Sequence, residues 1–254
     1  MTNRAWEAIF DYHRISKHDF DATPYFLSAD DIKEATQSFK ATGEREPRIL
    51  CKQDTRESRP DLFKSLGIFV LPIKNGFYAL IRGEGYVDLP PIESNPIPHI
   101  SALAFPLETV WQGDSEMQHL DYAYAVSLAR TFMDDPTLVL TIRGRKYTPQ
   151  FSFQVNGHSL TVESVQTEID AGYEGRHQVV LVEAKNTHSP NVIIRQLFYP
   201  YRQWSSVTKK PVRPLFFERK GKEYHFWRFD FASPEDYASI ILIDAKRLII
   251  AERE

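Results

Sequence analysis

Residues 179–185, Val-Val-Leu-Val-Glu-Ala-Lys, constrain the fold more than any other stretch. Four consecutive apolar residues, three of them β-branched, favour a strand. A strand with one wet face alternates polar and apolar residues, and this one does not. It therefore reads as a central strand buried on both faces. It ends in two charges, Glu183 and Lys185, two residues apart and so on one face. A core strand that ends in charge needs a compensating partner, because an uncompensated buried ion is costly.

The preceding segment supplies one. Val165 to Tyr173 reads as a strand carrying Glu168 and Asp170, and Gly175-Arg176 reads as the turn. With a two-residue turn, 170 faces 181 and 168 faces 183. Glu168, Asp170, Glu183 and Lys185 then share one face, with Asp170 diagonal to Glu183. Several carboxylates at a buried strand end suit a divalent cation. Mg²⁺ takes one or two carboxylates and completes its shell with water and phosphate oxygens. Such an ion polarises a phosphodiester and lowers the pKa of a bound water. Lys185 is placed to orient that water or to stabilise the developing charge. Desolvation would depress its pKa and the carboxylates would hold it up, a competition the sequence leaves open.

The surrounding elements follow from local signals. Before the hairpin lie a helix capped by Asp114 or Ser115 and running to about Phe132, a strand at Leu138–Ile142, and a hairpin around Asn156-Gly157. After it come a helix at Val192–Trp204, disturbed at Pro200, and strands at Val212–Phe217 and His225–Phe231. Ser239–Ile250 is apolar and reads as strand or helix. Towards the N-terminus, Ser28 and Asp31 predict a capped helix over Ala29–Phe39. Asn75-Gly76 predicts a hairpin between Leu66–Leu71 and Phe77–Ile81. Lys52, Arg56, Arg59 and Arg82 give this region some positive charge. Residues 88–98 hold four prolines, and a boundary is expected there.

The pattern Asp170-x12-Glu183-x-Lys185, in a β-hairpin followed by a helix, resembles the PD-(D/E)xK nucleases, and the wider run is similar to type II restriction endonucleases. Ile169 stands where that family usually has proline. The likeness covers roughly residues 115–217. It implies an α/β (mixed α+β) fold: a restriction-endonuclease-like core with a mixed central sheet flanked by helices. Residues 99–254 would form this catalytic domain. Residues 1–98 would be an N-terminal α+β accessory region able to contribute to DNA recognition. The likeness also implies Mg²⁺ as cofactor, held by Asp170, Glu183 and an acid on the preceding helix, Glu116. From the following helix it implies that Gln196 or Arg195 faces the site. The expected activity is site-specific cleavage of double-stranded DNA by a homodimer, since two strands of a palindrome need two centres. A repair or junction nuclease, and a non-catalytic DNA-binding protein that keeps the fold, are the alternatives.

Charge and composition agree with a DNA-binding protein. Net charge is −3, yet Arg195 to Lys222 holds eight Lys/Arg and a single acid, Glu218. Arg143, Arg145, Lys146, Arg195, Arg202, Lys209 and Lys210 are the expected DNA contacts, chiefly to phosphates. Arg143 to Lys146 is expected in a loop between strands. Phe198, Tyr199, Tyr201 and Trp204 read as packing residues. Cys51 is the sole cysteine, so neither an intramolecular disulfide nor a cysteine zinc cage can form, and a reducing cytoplasm is expected. No membrane partner is expected, because there is no apolar run of spanning length. Walker, GxGxxG, HExxH and nucleophile-elbow patterns are absent. A rival acid-x-lysine set, Asp244-x-Lys246 with Asp230 upstream, follows the apolar run Ile240–Ile243.

Overall fold

The computed structural model describes residues 3–101, 103–105, 107–113, 115–185 and 188–251. The N-terminal part contains α1 (Asn3–Tyr12), β1 (Tyr25–Ser28), α2 (Ala29–Ala35), α3 (Pro47–Leu50), α4 (Asp61–Leu66), β2 (Ile68–Lys74), β3 (Phe77–Arg82) and β4 (Tyr86–Asp88). Then follow β5 (Ile97–Ile100), α5 (Glu116–Ala125), α6 (Leu128–Met133), β6 (Val139–Tyr147), β7 (Phe151–Val155), β8 (His158–Val162), β9 (Gln166–Glu174) and β10 (Val179–Lys185). The chain ends with β11 (Asn191–Ile193), α7 (Arg195–Ser205), β12 (Val212–Lys220), β13 (Glu223–Phe231) and β14 (Ile240–Ala251).

The local signals act where expected. Ser28 Oγ accepts from the Asp31 N–H, and the Asp31 carboxylate accepts from the Ser28 N–H, so α2 starts with a complete capping box. Asn156 (φ 48) and Gly157 (φ 84) form the tight turn between β7 and β8. Both have positive φ, as a type I′ hairpin turn requires.

A seven-stranded mixed sheet dominates, in the order β5-β14-β13-β12-β10-β9-β6. The pairs β10/β12 and β14/β5 are parallel, and the others antiparallel. The run at 179–182 does form an interior strand. Val180, Val182 and Ala184 face the α5/α6 side, together with Leu120, Leu128 and Phe132. Val179 and Leu181 face the α7 side, with Ile169, Tyr201 and Trp204. The mixed sheet flanked by helices is thus established. Pro200 sits inside α7, which continues through it.

Three expectations are corrected. Residues 192–193 do not begin the helix: Asn191–Ile193 is β11, paired with β4, because Ile193 and Ile194 donate to the Asp54 and Gly85 carbonyls. The helix expected up to Phe132 breaks at Ser127 (φ 70), giving α5 and α6. Ser115 caps α5, and the alternative cap Asp114 lies outside the described residues. Arg143-Gly-Arg-Lys146 lies in β6 and not in a loop. The apolar stretch near the C-terminus is strand β14.

The N-terminal sheet, β1-β3-β2, is not a separate body. Its own core holds Trp6, Phe10, Phe63 and Leu80. Its other face shares a core with the C-terminal part: Phe69, Leu71, Ala79 and Ile81 pack with Phe153, Val155, Phe198, Tyr199 and Tyr237. Phe198 and Tyr199 are thus packing residues, as expected.

Candidate active site

The β9–β10 hairpin carries the site, and its register differs from the expectation. Glu174 pairs with Val179 and Gly172 with Leu181, across a four-residue turn closed by the Gly175 N–H on the Gln178 carbonyl, 2.8 Å. The turn is widened from outside. Gly175 lies against Asp135, with no room for a Cβ, and the Arg176 N–H donates to Thr137 Oγ1 at 2.8 Å. The slip is two residues, so the side chains from Ala171 to Val182 keep their expected faces.

A second irregularity makes the site. Between β6 and β9 the register moves from Ile142↔Gly172 to Gly144↔Ile169, two residues of β6 against three of β9. The extra residue falls at Asp170-Ala171. Pairing with β10 stops at Val182↔Ala171. Beyond it the Ala184 N–H donates to Asp170 Oδ2, at 2.7 Å, in place of a ladder carbonyl. Gly172 is needed there, because a Cβ would sit 2.6 Å from that of Ile142. Such a bulge bends a strand and re-aims its side chains.

Glu183 is 8% exposed. Its Oε1 accepts from Lys185 Nζ at 2.5 Å and from Gln196 Nε2 at 2.7 Å. Lys185 also donates to the Ala184 carbonyl at 3.1 Å. Burial pushes the Glu183 carboxyl up to about 7; Lys185 opposes this and Asp170 adds to it. Burial likewise raises Asp170, against the help of the Ala184 N–H and Lys185. Burial alone would lower Lys185, but Glu183, Asp170 and Glu116 outweigh it and hold the ammonium protonated, above its ordinary value. The competition left open by the sequence is thus decided by the carboxylates.

These groups line a cleft of about 560 Å³. Glu168, Asp170, Glu183, Lys185, Gln196, Arg195, Arg145 and Glu116 all reach it. Glu168 is exposed and pairs with Arg145 at 3.4 Å. Glu116, in the first turn of α5, acts on Asp170 and Lys185 through charge. It does not complete a cage with the other two acids: among the described residues no three His, Cys, Asp or Glu side chains are gathered to hold a cation.

The expected DNA contacts separate. Arg143 lies beside the site, donating from Nε to the Asp170 carbonyl at 3.1 Å and pairing with Asp121. Lys146 is exposed on β6. Arg202, Lys209 and Lys210 do not line the cleft. Arg202 is committed to packing: it donates to the Ser152 and Pro234 carbonyls and covers the Phe151 ring. Lys210 is bound to Glu174 and the Gly175 carbonyl at the opposite end of β10. Glu174 is four residues along β9 from Asp170, so at about 3.3 Å per residue the Lys210 ammonium lies about 13 Å from the carboxylates. The rival set does not converge either. Asp230 is bonded to Arg213 and faces Ile241, while Asp244 pairs with Lys246.

No sequence motif marks the far wall of the cleft. It is N-terminal: Arg48, Lys52, Asp54, Lys74 and Tyr78 line it. Asp54 reaches across to Arg195, at 3.9 Å, and adds to the upward shift of Glu183. Of Lys52, Arg56, Arg59 and Arg82, the cations noted in the N-terminal sequence, Lys52 reaches the cleft. Arg56 is bound to Glu84 and Asp88, Arg59 to the Ile68 carbonyl and Arg82 to Asp21.

The molecule is therefore a mixed α+β protein with a buried acid–acid–lysine centre in a walled cleft. The chain belongs to the family described as a domain of unknown function (DUF6997), whose model matches residues 81–249. A second domain of unknown function (DUF6996) matches residues 3–80. The seam between the two matches falls inside β3, earlier than the proline-rich segment at 88–98. No curated protein matches the chain. No solved structure matches it either.

Proposed function

We propose that this protein is a Mg²⁺-dependent nuclease of the PD-(D/E)xK type, built on a restriction-endonuclease-like core and hydrolysing phosphodiester bonds in DNA. The observation that carries the reading is the convergence of Asp170, Glu183, Lys185 and Gln196 on one cleft, with Glu183 held between Lys185 and Gln196.

The donors fit a hard cation. Asp170 and Glu183 offer only oxygen, burial leaves both carboxyls short of compensation, and the buried Gln196 Oε1 beside them has no hydrogen-bond partner. Mg²⁺ keeps several waters and needs one or two carboxylates, so a two-acid site suffices. When bound, the ion would polarise the scissile phosphate and lower the pKa of a water. The chain's own groups do the rest. The Ala184 N–H fixes Asp170 on its bulge. Gln196 fixes Glu183. Lys185, held protonated, cannot serve as the base; it donates hydrogen bonds and stabilises negative charge growing on the phosphate.

Digestion of long single-stranded and duplex DNA, with Mg²⁺ and with EDTA, tests the reading. Cleavage that needs Mg²⁺ and disappears in Lys185→Met is expected. No cleavage of either DNA by the wild type, or full cleavage by the variant, would refute it. Discrete fragments from duplex would favour a restriction role by paired copies, and a smear a repair role.

A further inference from the structure

The carboxylates lie on the floor of a cleft with two walls. One wall is β9, β10 and α7. The other carries Arg48 and Lys52 at the end of α3, and Lys74 at the β2–β3 turn. The second wall does not swing freely. The apolar core shared by Phe69, Leu71, Phe198 and Tyr199 runs beneath it. The β4–β11 pair and the Tyr199 hydroxyl on the Pro72 carbonyl, 3.0 Å, tie it down. Parts of a chain joined by a hydrophobic interface are not expected to move independently.

The size of the cleft then limits what can enter. A volume of about 560 Å³ is that of a pocket enclosing one drug-sized molecule, about 300–1,000 Å³. A duplex presents two backbones separated by grooves of about 6 and 12 Å, and a site that takes it must accommodate both. Glu183, 8% exposed, is not at an open surface. One extended backbone, with no second strand to accommodate, is the smaller occupant for such a cleft.

The walls carry cations that phosphate can take over. Lys52 pairs with Asp54 at 3.5 Å, Lys74 with Glu163 at 3.6 Å and Arg145 with Glu168 at 3.4 Å. Their side chains are 71%, 59% and 66% exposed. Such pairs contribute little, so exchange for a phosphate costs little. Arg48 adds a further exposed cation. We infer that the cleft binds single-stranded DNA, a free strand or an unpaired end or flap, with Lys52, Lys74 and Arg145 on its phosphates. What happens to the bound strand rests on the nuclease reading; the binding does not.

The test uses the full chain and a labelled oligonucleotide, single-stranded or annealed to its complement. Anisotropy is followed in EDTA over a salt series, for the wild type and Lys52→Gln/Lys74→Gln. Both lysines are exposed, and a thermal melt checks that the variant folds; single substitutions replace the pair if it does not. The single strand is expected to bind more tightly than the duplex. The salt slope should fall by about 1.4 in the double variant, or about 0.7 in a single one, at about 0.7 for each phosphate no longer neutralised. Duplex binding as tight as single-strand binding, or an unchanged slope, overturns the assignment. Single-strand preference without cleavage in Mg²⁺ would keep the cleft assignment and remove the nuclease reading. Preferred duplex binding with cleavage would do the reverse.

Discussion

Asp170 can be replaced in two ways that the structure separates sharply. Asp170→Asn removes the charge and keeps an oxygen for the Ala184 N–H. Asp170→Ala removes both. In metal-free protein the charge is a cost: burial raises the Asp170 carboxyl, so over the pH interval between its unfolded and folded values the native state keeps a proton that the unfolded state has lost. Stability from this group therefore falls as pH rises through that interval, and Asn avoids the loss. The alanine variant shares that relief but leaves a buried N–H without its 2.7 Å acceptor. An unsatisfied buried group costs about 1–3 kcal/mol. For a chain of this size that is about 2–4 °C per kcal/mol, so Asp170→Ala should melt about 2–12 °C below Asp170→Asn. The comparison is made in EDTA at neutral pH, by calorimetry or circular dichroism. Comparing the two variants cancels the charge term, which neither retains. Equal melting would refute the account of the bulge, since the Ala184 N–H would then not depend on Asp170. Both variants should fail to cut DNA, and a wild-type rate in Asp170→Asn would remove it from the centre.

Two further outcomes follow from the packing of the N-terminal wall. Asn191, 1% exposed, donates to the Glu57 carboxylate and accepts from the Arg56 N–H at 2.7 Å; Asn191→Ala should cost about 1–3 kcal/mol and expose residues 51–60 to proteolysis, and an unchanged digestion pattern would mean that other contacts hold the wall. Ser28→Ala should lower stability at neutral pH by about 1 kcal/mol in urea melts. The Ser28 N–H and hydroxyl hold the Asp31 carboxyl below its ordinary value, so that contribution is present above the unfolded pKa and is lost as pH falls through the folded one. The difference between wild type and Ser28→Ala should narrow in acid, and a constant gap would show that the Ser28 hydroxyl acts through the Asp31 N–H alone and not through its carboxylate.

The features legible in the sequence were those that a few neighbouring residues decide. Val179–Val182 dictates an interior strand because no alternation remains to wet one face. Ser28 with Asp31, and Asn156-Gly157, carry their own geometry. Period-two arithmetic puts Glu183 and Lys185 on one face of β10 and survives a two-residue slip, but the extra residue at Asp170-Ala171 breaks it on β9, where Asp170 reaches the site through its bulge. What failed was set from far along the chain. The wide turn at Gly175–Gln178 depends on Asp135 and Thr137. The strand at Asn191–Ile193 depends on Asp54, Gly85 and β4. The basic run was misleading for a geometric reason: α7, the following turn and β12 carry its residues from one end of the sheet to the other.

The bulge at Asp170 also explains why the centre lies at this end of β10. A regular β9 would pair with β10 through Glu183 and Lys185 and close the ladder over them. The extra residue ends the pairing at Ala171, and the Asp170 side chain takes over a backbone bond, so the strand end is opened without orphaning the Ala184 N–H. Opening alone would leave the carboxylates in water, where a cation competes with solvent for them. The N-terminal wall encloses the other side of the cleft, and burial raises both carboxyls and strengthens their demand for positive charge. Lys185 answers part of that demand and cannot answer all of it, since Glu183 remains near 7 with Lys185 in contact. The residual demand is a property of the two regions together. A C-terminal part lacking residues 3–80 would lose Asp54, which adds to the upward shift of Glu183, and Phe69, Leu71 and Ala79 from the shared core, and with them part of the enclosure under which this centre favours a cation.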